Sequence, residues 1–477
     1  MVAPKAVFID TYGCQMNELD SELVRDQLVA QGYEVVERPE DAGVVLLNTC
    51  SVRALSEQKV WSQLGRLGIQ KREDRPDLVV GVLGCMAERE GKSIVSRMPH
   101  VDVVCGPSNL DRLPALLDEA RRSKKPVLSL AGHTSRRSQT LDKAMDGVES
   151  LDLARAFSPD DRKSQAYVRV TRGCNKFCSF CVVPYTRGPE VHRPPAVIVD
   201  EVRRLSDQGA LEVTLIGQTV NHYAHDEGGV RTSFAELLWR VHEAVPALPR
   251  LRFVTSYPRD FGDDVLDVLA AAPRIARYLH LPVQSGSDRL LRLMNRGYTV
   301  DEYLGLIDRA RAKLPDVRFA GDMIVGFPSE TDDEHVASLR LIERVRYKSL
   351  FVFKYSPREG TVAERRLPDD IPELVKKRRN VEMLDLQGKV SLTHNQELVG
   401  QTLDVLVESE GKLKGDRPPT DVRLGWEERR ARGERRLVGR TPYDEIVAFD
   451  GTPDLVGSVV RVRATAATSL TILGELA

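Results

Sequence analysis

Three cysteines stand within the stretch CNKFCSFC, residues 174–181, at spacing C-x3-C-x2-C. Thiols this close suit neither a disulfide framework nor a complete zinc clip. Structural zinc takes four ligands, and no adjacent C-x2-C or H-x3-H supplies a fourth. A 4Fe-4S cube is held by thiolates, one per iron, so Cys174, Cys178 and Cys181 would leave one iron open to another ligand. Asn175, Lys176 and Ser179 make the loop polar, which argues against a chance group of buried cysteines.

Cys14, Cys50 and Cys85 are far apart in sequence, yet each ends an apolar strand-like run: IDTYGC, VVLLNTC and VGVLGC. In a parallel sheet the carboxyl ends share one edge, where ligands bind. The three thiols either converge there as a second site or are unrelated buried side chains, since free cysteine is often buried. Cys105, after VDVV, reads as a small buried hydrophobe.

The elements that must position these groups follow from periodicity. Over the first 120 or so residues, β-branched runs alternate with helical stretches such as NELDSELVRDQLVAQG (17–32), with Asn17 as cap and Gly32 as terminator. This alternation predicts a mostly parallel sheet wrapped by helices. A second series begins at 166, with strands in AYVRVTRG, LEVTLIG, LRFVTSY, RYLHLPV, VRFAGDMIVGF and LFVFKYS. Six units suit an open, partial TIM-like barrel, with the 174–181 loop at its carboxyl rim. A charged helix over 372–400 leads into short alternating strands that predict a small OB-like β-barrel.

The expected organisation is therefore α/β, with an N-terminal parallel-sheet domain over 4–122 and a linker over 123–159. A (β/α)6 core over 160–394 and a small barrel over 395–475 follow, the last broken by a basic insertion at about 411–437. Arg187 and Arg193, after the cysteine loop, read as solvated side chains unless a carboxylate or phosphate meets them, and His280 reads as packed within its strand.

The chain has 477 residues, 42% of them hydrophobic and 29% charged, with a net charge of −1. No global positive field advertises a nucleic acid; a local candidate is RRARGERRLVGR at 429–440. No apolar run approaches the ~20 residues of a membrane span, and no signal-peptide pattern opens the chain. The expectation is a cytoplasmic protein in which seven cysteines serve as ligands or small hydrophobes.

The cysteine loop, with Phe180 before the third cysteine, resembles the signature of radical S-adenosylmethionine (SAM) enzymes. TYGCQMN, LLNTCSVR and VLGCMAE resemble the N-terminal motifs of the methylthiotransferases among them. CNKFCSFCVVPYTRGPE, HLPVQSGSD and DMIVGFPSET resemble the branch acting on prenylated adenosine in tRNA, while VGRTPYDEIVAF and GSVVRVRATAATSL are similar to the RNA-binding TRAM domain.

The resemblance implies two 4Fe-4S clusters, one on Cys174, Cys178 and Cys181 and an auxiliary one on Cys14, Cys50 and Cys85. It also implies SAM in two roles, as methyl donor and as source of a 5′-deoxyadenosyl radical. The implied reaction adds a methylthio group to carbon 2 of N6-isopentenyladenosine immediately 3′ of the tRNA anticodon. Relatives act on threonylcarbamoyl-adenosine or on a ribosomal-protein aspartate. A non-catalytic iron–sulfur RNA-binding protein is the alternative of another class. Phe180, Gly217, Gln218, Ser256, Gln284 and Gly326 are the implied SAM contacts. The implied partners are the tRNA anticodon arm, an external electron donor and a sulfur donor, with the chain acting as a monomer away from membranes.

Overall fold

The computed structural model describes residues 5–51, 54–132, 149, 151, 152, 155, 164–411 and 435–477. These fall into two compact units. The first takes residues up to 156, 171–192 and 356–365; the second takes 157–170, 193–355 and 366–477. The cysteine loop, 174–181, falls within the first of these units.

The first unit is built on six parallel strands: β1 (Ala6–Tyr12), β2 (Glu34–Val35), β3 (Val44–Thr49), β4 (Val79–Gly84), β5 (Val103–Cys105) and β6 (Val127–Ser129). Their order is β2-β1-β3-β4-β5-β6. The chain therefore steps to one side after β1 and to the other from β3 onward, creating a switch point between them. Every residue of β3 and β4 is buried, as expected of central parallel strands covered on both faces. Val45, Leu47, Val80 and Val82 pack with Val60, Leu64, Met86 and Ile94 in the core. The domain boundary expected at 122 falls one strand short, because β6 lies beyond it and pairs with β5. Its few apolar residues follow two lysines, too short a run to carry a period.

Within this unit, β8 (Thr171–Arg172) and β9 (Val191–His192) pair antiparallel at the base of the cysteine loop. The linker expected over 123–159 lies mostly outside the described residues.

In the second unit, β7 (Gln165–Arg169), β10 (Glu212–Ile216) and β13 (Arg250–Val254) form one parallel sheet, separated in sequence by the hairpin β11–β12 (Ala224–Glu227 and Val230–Ser233). A second sheet holds β14 (Tyr278–His280), β15 (Arg318–Val325) and β16 (Ser349–Lys354). Hydrogen bonds Ala276 N–H to Leu251 O and Ser256 N–H to His280 O join the two sheets. The six-stranded order β7-β10-β13-β14-β15-β16 is the expected open (β/α)6 barrel.

The helix Glu373–Gln396 leads to a closed five-stranded barrel. It comprises β17 (Thr402–Glu410), β18 (Arg435–Arg440), β19 (Ile446–Gly451), β20 (Val459–Ala467) and β21 (Ile472–Leu476), around Val405, Leu437, Phe449, Val462 and Ile472. β21 was not foreseen: Gly474 interrupts its apolar alternation. β18 begins at Arg435, inside the basic stretch read as an insertion, and the remainder of that stretch from 412 to 434 lies outside the described residues.

Two cysteine sites and a barrel mouth

Helix α1 (Gln15–Ala30) starts one residue after Cys14, which is its N-cap. Cys50 directly follows β3, and its N–H donates to Tyr12 O of β1 at 3.0 Å. Cys85 opens a short helix (Cys85–Glu90), preceded by Gly84 at φ 88° and ψ −156°. That backbone region is essentially closed to other residues, and a side chain there would meet Asn48 Oδ1 at 2.3 Å. Cys14, Cys50 and Cys85 thus end three adjacent strands at the switch point. They are close enough to feel one another: burial pushes the Cys14 thiol up, and Cys85 and Cys50 push the same way, against the pull of Arg187.

A polar lattice holds this edge. Cys14 Sγ lies 3.4 Å from Asn17 Oδ1, Asn17 Nδ2 donates to Asn48 Oδ1 at 3.1 Å, and Asn48 Nδ2 donates to Ser21 Oγ at 2.9 Å. The sequence reading took Asn17 for a helix cap; instead Cys14 caps, and Asn17 is fully buried in the first turn.

Arg187 completes the site. Its Nε donates to Cys85 Sγ at 3.3 Å and its Nη2 to Asp20 Oδ2 at 2.7 Å. Asp20 is fully buried, and Arg187 nearly so. Burial opposes the guanidinium charge, but Asp20, Cys85 and Cys14 outweigh it and hold its pKa above the ordinary arginine value. Burial raises Cys85 as well, while the charge and hydrogen bond of Arg187 lower it. Neither Arg187 nor Arg193 is a solvated side chain: Arg193 is buried on Glu201 Oε2 at 2.7 Å. The signal for Arg187 is Asp20, a carboxylate on the apolar face of α1 beside Leu19 and Leu23. A buried charge there demands a partner.

The second cysteine set is local. Gly173, at φ 74°, brings the chain so near the returning strand that a side chain would strike Pro189 O at 1.9 Å. Cys174 N–H donates to Gly188 O at 3.2 Å, and Cys181 N–H to Cys178 O at 3.0 Å. Ala363 N–H donates to Ser179 O at 2.7 Å, tying the loop to the segment 356–365. Cys174 is buried, whereas Cys178, Cys181 and Phe180 are half-buried. Burial pushes the Cys174 thiol up to about 11, and the nearby Cys178 adds to the rise.

Both sets fit an iron–sulfur cluster. Cys14, Cys50 and Cys85 end adjacent strands with the Arg187 cation on Cys85, and Cys174, Cys178 and Cys181 stand within one eight-residue loop. The raised thiol pKa values belong to the metal-free protein, because a bound cation favours the thiolate. Cys105 stands apart: its Sγ lies 3.3 Å from Asn109 O, its side chain is fully buried, and burial raises its pKa. It is the packing residue the sequence suggested.

The other expected SAM contacts belong to the second unit. Gly217 N–H already donates to Val254 O at 3.3 Å. Gln218 Oε1 and Ser256 Oγ, at two adjacent strand ends, are buried with no hydrogen-bond partner among the described residues. Gln284 has φ 79° and donates its N–H to Asp322 O at 2.9 Å. Gly326 is accounted for by packing: its N–H donates to Glu330 Oε2 at 2.6 Å, and a side chain would strike Lys376. His280 was read as a packing residue only. It contacts Thr255 Oγ1 at 3.2 Å and Asp322 Oδ2 at 3.4 Å, and meets the Phe351 ring edge-on.

In the C-terminal barrel, the described arginines of the basic run are matched by acids: Arg435 with Glu410, Arg436 with Asp450, and Arg440 with Asp444 and Glu408. No helix among the described residues is long and apolar enough to cross a membrane.

Comparison with known proteins agrees with this geometry. Residues 6–106 match the uncharacterized protein family UPF0004, and residues 168–342 match the radical SAM superfamily. The chain is 41% identical over 472 residues to the tRNA-2-methylthio-N(6)-dimethylallyladenosine synthase of Rhodopirellula baltica, covering 99% of this chain and 95% of that one. It is also 41% identical over 474 residues to the enzyme of that name from Syntrophotalea carbinolica, covering 99% of both chains. Among solved structures, a radical S-adenosylmethionine methyltransferase from Kitasatospora setae, with cobalamin and a 4Fe-4S cluster bound, shares the fold. Its TM-score is 0.53 at 18% identity, over 76% of this chain and 74% of that one. With these matches spanning nearly its full length, the chain belongs to the tRNA-2-methylthio-N(6)-dimethylallyladenosine synthase family of radical SAM enzymes.

Proposed function

We propose that the chain transfers a methylthio group to carbon 2 of N6-isopentenyladenosine in the tRNA anticodon loop. The observation that carries this reading is the convergence of Cys14, Cys50 and Cys85 at three adjacent strand ends, in the same compact unit as the C-x3-C-x2-C loop. One three-cysteine site suffices to cleave SAM; a sulfur-inserting enzyme needs a second place to hold the sulfur.

Bound to the 174–181 loop, a 4Fe-4S cluster and SAM supply one-electron chemistry able to activate an adenine C–H that no acid–base side chain can ionise. The residues of the chain bind, orient and exclude water. Cys174, Cys178 and Cys181 hold one cluster and leave an iron position open. Cys14, Cys50 and Cys85 hold the second. Within the second unit, Gln218 and Ser256 carry buried polar atoms with no partner among the described residues, at the ends of β10 and β13. An external reductant supplies the electron and a separate donor the sulfur. The tRNA is held through its anticodon arm, with the C-terminal barrel in the role of a TRAM domain. A substrate of this kind places the protein in the cytoplasm.

Support for an apolar N6 substituent comes from β16. Phe351 is 48% exposed, its ring centroid lies 6.4 Å from that of His280, and it is registered opposite Asp322 of β15. It offers an apolar wall to a prenyl group and no hydrogen bond to a carbamoyl.

The test is nucleoside mass spectrometry after anaerobic incubation with SAM and a strong reductant, using prenylated and threonylcarbamoylated tRNA in parallel. The 2-methylthio nucleoside is expected from the prenylated tRNA. Product from the threonylcarbamoylated tRNA alone would overturn the substrate assignment.

A further inference from the structure

Arg187 has a donor left over. Its Nε is spent on Cys85 and its Nη2 on Asp20. Its Nη1 is buried and meets no hydrogen-bond acceptor among the described residues. A buried guanidinium donor without an acceptor costs free energy unless something absent from the bare chain fills the place. The group that fills it must be an acceptor, and beside a cation fixed against cysteine sulfur an anionic one is favoured.

The surroundings fix the guanidinium plane. Asp20 is on α1, whose first turn follows Cys14 and whose Asn17 and Ser21 are braced by Asn48. Two of the three donor nitrogens are therefore pinned, and the third has a defined direction. Burying the Arg187–Asp20 pair merely to hold the fold would be an inefficient choice, since apolar residues of similar volume often serve as well or better. A pinned guanidinium with one free donor instead suits recognition of a ligand.

We propose that Arg187 is a positioning residue for a monoanionic sulfur ligand, hydrosulfide or an alkyl thiolate, held at the Cys14–Cys50–Cys85 site. Nη1 donates to that sulfur while Nε stays on Cys85 and Nη2 on Asp20. This rests on the reading of the three cysteines as a cluster site. It adds a device that distinguishes the site from a cluster serving only in electron transfer: a fixed cation beside the place where sulfur is held. Because Arg187 lies six residues after Cys181, the segment carrying the other cysteine set also supplies this donor.

The experiment uses the full chain with Cys174, Cys178 and Cys181 replaced by Ala, so that iron reports the auxiliary site alone. After reconstitution, sodium hydrosulfide and methanethiolate are titrated in separate arms, followed by visible absorption and by electron paramagnetic resonance of the reduced cluster. Arg187→Gln is expected to keep the iron and to bind the sulfur anion about 10- to 100-fold more weakly, the range found when outer-shell partners of a metal site are lost. Arg187→Lys keeps the charge without the fork and should fall between. The arm that shows the larger Arg187 dependence identifies the ligand as free sulfide or its alkylated form.

Unchanged affinity in Arg187→Gln with iron retained overturns the proposal. If Arg187→Gln loses iron, Arg187→Lys decides: parental affinity overturns the proposal and weakened affinity upholds it. A parent that holds iron but binds neither anion overturns the proposal and leaves the cluster site standing. A parent that holds no iron overturns both.

Discussion

The molecule contains two groups of three cysteines made by opposite strategies. Cys174, Cys178 and Cys181 lie within one loop, and two of the three are half-buried. Short-range hydrogen bonds and one close backbone approach at Gly173 set their geometry. Cys14, Cys50 and Cys85 come from three strand ends separated by 35 or so residues at each step. They are placed by a buried sheet, an Asn17–Asn48–Ser21 lattice and an Arg187–Asp20 ion pair. The local loop keeps two of its three cysteines partly exposed, as a site that must admit a small molecule requires. The assembled site sets fixed donors around its thiols, which on the proposed reading would hold a reactive sulfur. The chemistry of a cysteine triad is thus set less by the thiols than by what the fold puts around them.

The largest effect expected is at the local loop. Cys178→Ala should cut deoxyadenosine formation by more than about a hundredfold, since even outer-shell changes at metal sites cost 10- to 100-fold. Iron on the Cys14–Cys50–Cys85 site should remain. Loss of iron from both sites would mean that the two are not independently built.

At the assembled site, Asp20→Ala leaves the Arg187 guanidinium buried beside cysteines without its carboxylate. Removing one partner of a buried pair costs about 3–5 kcal/mol. Urea unfolding followed by a probe in the N-terminal domain should show a loss of that order. A variant as stable as the parent would show that Arg187 is held by the sulfurs alone.

A smaller, pH-dependent effect belongs to the barrel scaffold. Glu334 closes the capping box of the helix Asp332–Val345 with Thr331 and also binds Ser287 and Arg289. Burial alone would raise its pKa, but hydrogen bonds from Arg289, the Thr331 N–H and Ser287 lower it to about 2. Its stabilisation is therefore present above the unfolded carboxylate value of about 4.3 and is lost as pH falls through about 2. Glu334→Gln should cost up to about 3 kcal/mol near neutrality, and the gap to the parent should close between about pH 4 and 2. A gap that persists at pH 2 would show that shape, not charge, is responsible.

Cys105→Ser should change least. It ends a parallel strand as the three auxiliary cysteines do, but its thiol faces Asn109 O inside the core. Iron content should be unchanged, with a stability loss of about 1 kcal/mol for the polar exchange. Reduced iron would place Cys105 in the ligand set and undo its contrast with Cys85.

Much of this contrast was legible in the chain. The C-x3-C-x2-C spacing is a local pattern and needs no fold to be read. The convergence of the second set needed only the rule that parallel strands share a carboxyl edge, because each cysteine directly ends an apolar run. What stayed hidden are long-range polar pairings. Asn17 has the composition of a helix cap, and nothing nearby in sequence announces Asn48 as its partner. Arg187 looks like any arginine after a loop until Asp20 is noticed on a buried helix face, 167 residues away in the hydrogen bond they share. The free atoms of Gln218 and Ser256 depend on what neighbouring strands leave unused, which no spacing encodes.

The most direct measurement compares two triple variants for two products: deoxyadenosine from SAM, and the 2-methylthio nucleoside from prenylated tRNA. With Cys14, Cys50 and Cys85 replaced by Ala, the account predicts that deoxyadenosine still forms while methylthio product is absent. With Cys174, Cys178 and Cys181 replaced, neither should form. Methylthio product from the first variant would contradict the division of labour between the two sites.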